Sequence, residues 1–234
     1  MSYSFGKSIV TDGLVFYVDA GNDNSYPGSG GTWSDLIGGN DGSFNNMDDI
    51  NNPSNNYNSA NGGSIVFDGT NDYVSFSNFT SVASTGTVCQ WFKPAISWSN
   101  SNPSQHIRLS GVHTNWEFGR TNASVGTGAF TFDLGTAESV TTLQTTWSNT
   151  LWYNMVVTWD TSANTSKVYV GGILDNTGTA TNSTSTGTFE VGRSPGGLTQ
   201  LWYGNIASVK YYNRVLTATE ITQNYNALKS RFGL

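Results

Sequence analysis

The chain has 234 residues, of which 11% are charged and 13% aromatic, and its formal net charge is −6. Its 10 Lys and Arg form no cluster, which argues against a nucleic-acid partner, because binding a phosphate backbone depends on counterion release by several grouped cations. A single Cys excludes an internal disulfide framework, and no apolar run reaches the roughly 20 residues of a membrane span.

In chain order, Met1–Lys7 lacks the basic and then apolar pattern of a secretion signal, so synthesis in the cytosol without export is expected. The first strand is Gly13-Leu-Val-Phe-Tyr-Val-Asp-Ala20. Residues 21–63 then read as a long polar loop rich in Gly, Asn, Asp and Ser, anchored by Trp33 and Leu36 and folded over the body of the protein or serving a site. Ser64–Phe76 is a hairpin, with β-branched and aromatic residues on either side of the turn Asp68-Gly-Thr-Asn-Asp72.

Further strands are expected at 87–92, 106–110, 115–119, 128–134 and 138–144, separated by turn-forming clusters. Cys89 lies within the apolar run Thr87–Phe92, which reads as a buried thiol. Trp152–Trp159 and Lys167–Gly172 form a hairpin with a polar loop, and 189–192 and 204–212 supply two more strands, the last ending one edge of a sheet. Only the tail reads as helix: Thr217-Ala-Thr-Glu220 is a capping box, and Ile221, Tyr225 and Leu228 recur at helical spacing. With no repeat and no proline-rich linker, a single domain over 1–234 is expected: an all-β sandwich with a short C-terminal helix.

Little in the chain points to catalysis. His106 and His113 lack zinc-hydrolase spacing, and neither a nucleophile elbow nor a phosphate loop occurs. None of the four glutamates, Glu117, Glu138, Glu190 and Glu220, has an acidic neighbour two residues away, the spacing that puts two carboxylates on one strand face. Glu117 with Asp133 is the pair that folding could bring together for glycoside hydrolysis. Trp98, Trp116, Trp147 and Trp202 lie near turns and are candidate sugar-stacking platforms, set against a packing role, whereas Trp91 and Trp159 read as core. Asx-rich turns, including Asp68, Asn71 and Asp72, offer oxygens suited to calcium, but equally form without metal.

The order Gly13–Ala20, Ser25-Tyr-Pro-Gly-Ser-Gly30, Trp33-Ser-Asp-Leu36, Phe67–Val74, Trp152–Trp159, Val168–Gly172 and Ile206–Ile221 resembles a laminin-G-like domain of the concanavalin A-like lectin/glucanase superfamily. The Asn213-Arg-Val-Leu216 segment with its Glu220-Ile221 helix carries the resemblance most specifically, and the Trp33 region resembles forms found in structural proteins of tailed bacteriophages. The resemblance implies a jelly-roll sandwich of two antiparallel sheets, binding loops at one rim, and glycan or protein ligands, often with calcium; Asn71 and Asp72 are the positions that correspond to calcium ligands. The expected function is therefore a non-enzymatic virion protein, as a capsid decoration, neck or fibre component. Its expected partners are other virion proteins, host-surface glycans and, through repeated display, further copies of itself. A glycoside hydrolase is the alternative.

Overall fold

The computed structural model describes residues 8–48, 56–77, 79, 84–99, 108–112, 116–120, 128–135, 137–181, 187–194 and 200–234, so His106 and His113 lie outside the described residues. The first half of the chain forms β1 (Leu14–Asp19), β2 (Thr32–Trp33), β3 (Gly42–Asn45), β4 (Tyr57–Asn58), β5 (Ser64–Asp68), β6 (Tyr73–Phe76), β7 (Thr85–Pro94) and β8 (Arg108–Val112). The second half adds β9 (Trp116–Arg120), β10 (Phe130–Leu134), β11 (Ala137–Thr141), β12 (Tyr153–Asp160), β13 (Thr165–Val170), β14 (Ile173–Gly178), β15 (Phe189–Val191) and β16 (Tyr203–Tyr212). One helix, α1 (Ala218–Leu228), follows.

These strands make two antiparallel sheets of 8 strands each, a jelly-roll sandwich as expected. Sheet I runs β14-β13-β12-β7-β16-β5-β4, and sheet II runs β11-β10-β9-β8-β15-β6-β3-β2. In sheet I, β16 pairs along its whole length with β7; its other edge is shared by β5, opposite Tyr203–Ile206, and β1, opposite Ser208–Tyr212. This corrects the expectation that 204–212 ends a sheet. The alternating pattern there belongs to an interior strand buried on both faces, and a bulge between Ile206 and Ser208 marks the hand-over from β5 to β1.

The expected 21–63 loop is corrected as well, since it contains three short strands that extend both sheets: β2 and β3 join sheet II and β4 joins sheet I. Trp33 is fully buried as anticipated, but the companion anchor is Tyr26, stacked on Phe44 with ring centres 5.3 Å apart, while Leu36 is only half-buried. β14 has no amphipathic pattern. It forms because Gly171 and Gly172, both at positive φ (60° and 79°), make the two-residue turn that returns the chain against β13.

The space between the sheets is filled largely with rings. Phe16 makes edge-to-face contacts with Phe76, Phe79 and Phe189, and Trp159 packs against Trp116, Phe132 and Tyr211. Gly86 is required here, because a Cβ would lie 2.3 Å from the Trp159 ring. Cys89 is buried as expected, on the opposite face of sheet I, and burial pushes its thiol up to about 12. That outer face carries a second apolar layer: Val10, Leu14, Leu216 and Ile221 cover Val156 and Tyr212, and Trp91 stacks on Phe232 with ring centres 4.2 Å apart. Sheet I is therefore covered on both sides. No described helix is long and apolar enough to cross a membrane.

The helix begins with the expected capping box. Thr217 Oγ1 accepts from the Glu220 N–H (3.3 Å), Glu220 Oε2 accepts from the Thr217 N–H (2.8 Å), and Arg214 grips the same carboxylate at 2.6 and 3.0 Å. Thr217→Ala is expected to lower unfolding free energy by about 1 kcal/mol, read as a shift in the urea midpoint with the slope unchanged.

Candidate functional site

On strands of sheet II, residues alternate between the aromatic core and the outer face. Trp116 and Phe118 point inward from β9 and leave Glu117 outside; Phe130, Phe132 and Leu134 do the same on β10 and leave Asp133 outside; Phe189 and Val191 on β15 leave Glu190 outside. Register then aligns these positions across five neighbouring strands as Ser75, Glu190, Gly111, Glu117 and Asp133. Glu138 on β11 stands in register with Asp133.

Two arginines join this row. The bulge between Arg108 and Ser110 lets β8 send Arg108 outward while Leu109 faces the core and Ser110 is bonded to Gln90 across the sandwich. Arg108 Nη2 lies 3.2 Å from Glu117 Oε2, its Nη1 donates to Asp133 Oδ2 at 2.9 Å, and its Nε donates to Gln200 Oε1 at 2.8 Å. Ser194 Oγ donates to the other oxygen of Glu117 at 2.8 Å. Arg193 forms a bidentate pair with Glu190, both bonds 2.7 Å, and its guanidinium carbon lies 3.3 Å from the Tyr73 ring centre. The arginine and Glu190 side chains are about nine-tenths buried, while Glu117 and Asp133 keep 27% and 20% of their surface. In a chain this poor in charge, five charged side chains here form one pre-ordered array of donors and acceptors.

The sequence-based pair Glu117 and Asp133 is thus brought together, as direct cross-strand neighbours on one face. Arg108, Glu190, Arg193, Ser194 and Gln200 were missed. The available signal was a single charged residue inside an alternating apolar run, as in Phe189-Glu-Val191.

The tryptophan platform is corrected. Trp98, Trp116, Trp147 and Trp202 are 2%, 1%, 0% and 0% exposed, so none presents a ring face to solvent. Trp98 and Trp147 form a bridge with each other, and both indole N–H groups donate to the Gly128 carbonyl at 2.9 Å. Proximity to turns misled because each ring packs on other core rings: Trp98 and Trp147 on Phe130, Trp116 on Phe132 and Trp159, and Trp202 on Phe92.

The Asp68–Asp72 turn is built on its own backbone. Asp68 Oδ1 accepts from the N–H groups of Thr70 (2.7 Å) and Asn71 (3.4 Å), and Asp72 Oδ2 accepts from the Asp68 N–H at 2.9 Å. Burial, with smaller contributions from Asp68 and Asp48, raises the Asp72 carboxyl to about 6. Asn71 is exposed, and among the described residues no group of three or more His, Cys, Asp or Glu side chains could hold a metal ion. Among the described residues, these donors are engaged by their own backbone and do not by themselves make up a calcium site.

Residues 68–222 match the laminin-G-like family described as the concanavalin A-like lectin/glucanases superfamily. The chain belongs to that family. The matched span starts at Asp68, the last residue of β5, so residues 1–67 lie outside it. No curated protein sequence matches the chain. Similar solved structures include domain 4 of AbnA, an extracellular arabinanase of Geobacillus stearothermophilus, in complex with arabinotriose: 16% identity, TM-score 0.62, covering 91% of this chain and 98% of that one. Trypanosoma rangeli sialidase in complex with sialic acid is 17% identical with TM-score 0.63, covering 97% of this chain and 36% of the sialidase. The botulinum neurotoxin serotype D binding domain is 14% identical with TM-score 0.63, covering 92% of this chain and 51% of that one. The chain thus spans about a third to a half of the last two, and all three likenesses concern the fold.

Asp72 also sets a pH dependence. Its folded carboxyl binds a proton up to about pH 6, against 3.8 ordinarily, so its stabilising contribution is present at the acid end of this window and is lost as pH rises through 6. Asp72→Asn is expected to flatten that part of the profile, checked by urea unfolding of both proteins at pH values from 4.5 to 8.

Proposed function

We propose that this chain is a non-catalytic glycan-recognition module that holds sugar on the outer face of sheet II. The observation that carries the reading is the Arg108–Glu117–Asp133 and Arg193–Glu190 array: charged hydrogen-bonding groups, fixed by one another on the face that α1 leaves uncovered. Pre-ordered carboxylates and guanidinium groups match vicinal hydroxyls without an ordering cost at the moment of binding. The arabinotriose complex of the AbnA domain, a similar fold covered almost end to end, supports the same class of ligand.

The alternative, glycoside hydrolysis, needs one carboxyl to deliver a proton and the other to act freely on the sugar or a water. Glu117 and Asp133 instead share one guanidinium, and Ser194 engages Glu117 as well. That arrangement favours holding a ligand over cleaving it. The resemblance of the Trp33 segment to phage structural proteins supports display of the module on a virion.

On a glycan array the protein is expected to bind selectively, with no cleavage of the bound glycan, with EDTA without effect, and with Glu117→Gln weakened about tenfold. Absence of binding across a broad panel, or undiminished binding by Glu117→Gln, rejects the sheet II face. Mass spectrometry of purified particles is expected to detect the chain at a fixed copy number; its absence rejects the virion setting.

A further inference from the structure

A cavity of about 400 Å³ lies on the other side of the molecule, between the β12–β13 hairpin and the segment Val215–Ala218 that leads into α1. Tyr169 and Lys167 sit two apart on β13, on the face away from the intersheet core, whereas Val168 between them joins that core. Thr158 stands opposite Lys167 on β12.

Three features of the lining are unspent. Tyr169 is only 4% exposed and packs with Val156, Leu216 and Ile221, yet it lines the cavity and its hydroxyl makes no hydrogen bond among the described residues. Lys167 has no ion-pair partner among the described residues. The first turn of α1 adds the positive end of the helix at Ala218. Of the nearby acids, Asp160 is an ionised member of the lining whose Oδ1 accepts from Ser162 and Ala163 in its own turn, and Glu220 is held by Arg214 and Thr217. Val215 and Leu216 supply an apolar wall.

An ammonium, a phenol donor and a helix N-terminus beside an apolar wall suit a ligand that joins a carboxylate to a hydroxylated ring. The volume falls at the small end of ligand sites, roughly 300–1,000 Å³. We propose that this cavity binds an acidic monosaccharide unit of the hexuronate class, with its carboxylate on Lys167 and the Tyr169 hydroxyl and its ring C–H face against Val215 and Leu216. This site is independent of the sheet II face, and either can fail without the other.

The test is isothermal titration of the protein with D-glucuronate, D-galacturonate, their neutral counterparts glucose and galactose, and acetate. Saturable binding of at least one uronate is expected, with its neutral counterpart and acetate each at least about tenfold weaker. Lys167→Gln is expected to lose about tenfold and Tyr169→Phe about fivefold, the latter with an unfolding midpoint no lower than the parent's because the lost hydroxyl has no partner. Lys229→Gln, which removes a cation outside the cavity lining, is expected to leave uronate affinity unchanged. No saturable binding of either uronate, equal binding of the neutral sugar, or full affinity in both cavity variants overturns the proposal. Acetate binding as tightly as the uronate overturns the sugar assignment.

Discussion

The packing of α1 and the N-terminal segment on the outer face of sheet I divides the molecule into unlike surfaces. β7 and β16 are buried on both sides, with rings between the sheets on one face and the Val10–Leu216–Ile221 layer or the Trp91–Phe232 stack on the other. A charged side chain buried on those strands loses its hydration. Lys210 illustrates the cost: it is buried against the Tyr17 ring at 4.3 Å, and burial holds its ammonium below the usual lysine range. Sheet II has no such cover from the helix, so its outer face can carry Glu190, Glu117, Asp133 and Arg108 in a row.

An ion pair between Arg231 and Asp19 helps to fasten the same cover. Arg231, just after α1, donates to Asp19 Oδ1 at 2.6 Å and to the carbonyls of Asn61 and Gly63, both at 2.6 Å. It thereby ties the C-terminal turn to the end of β1 and to the segment before β5. Asp19 is also held by the Tyr17 hydroxyl at 2.7 Å. A pair this buried contributes less through net attraction than through the penalty of leaving either charge alone, so it fixes where the tail docks.

The two candidate surfaces differ in how their polar groups are spent. On sheet II the acids and arginines satisfy one another, and a ligand there meets a fixed lattice of oxygens and N–H groups. In the cavity beside α1 the lysine and the tyrosine hydroxyl have no partner among the described residues, and burial raises the Tyr169 phenol above its ordinary value and keeps it a donor. The acidic turns that look most like metal sites in the sequence are, by contrast, closed on their own backbone.

Local chemistry in the sequence determined the strands with period-two alternation, the Asp68–Asp72 turn, the capping box at Thr217, the buried thiol of Cys89 and the family. It did not reveal β14, whose residues carry no pattern and whose position follows from the Gly171-Gly172 turn, nor the interior place of β16, which depends on partners more than 100 residues away. Tertiary structure alone decided the fate of the tryptophans, because burial is a property of what folds over a ring and not of its neighbours in the chain. It also assembled the sheet II array, whose members come from β8, β9, β10 and β15 and the segments after β15 and before β16. Sequence separation hides such a row. Cross-strand register, set by the aromatic residues that must face the core, brings it into line.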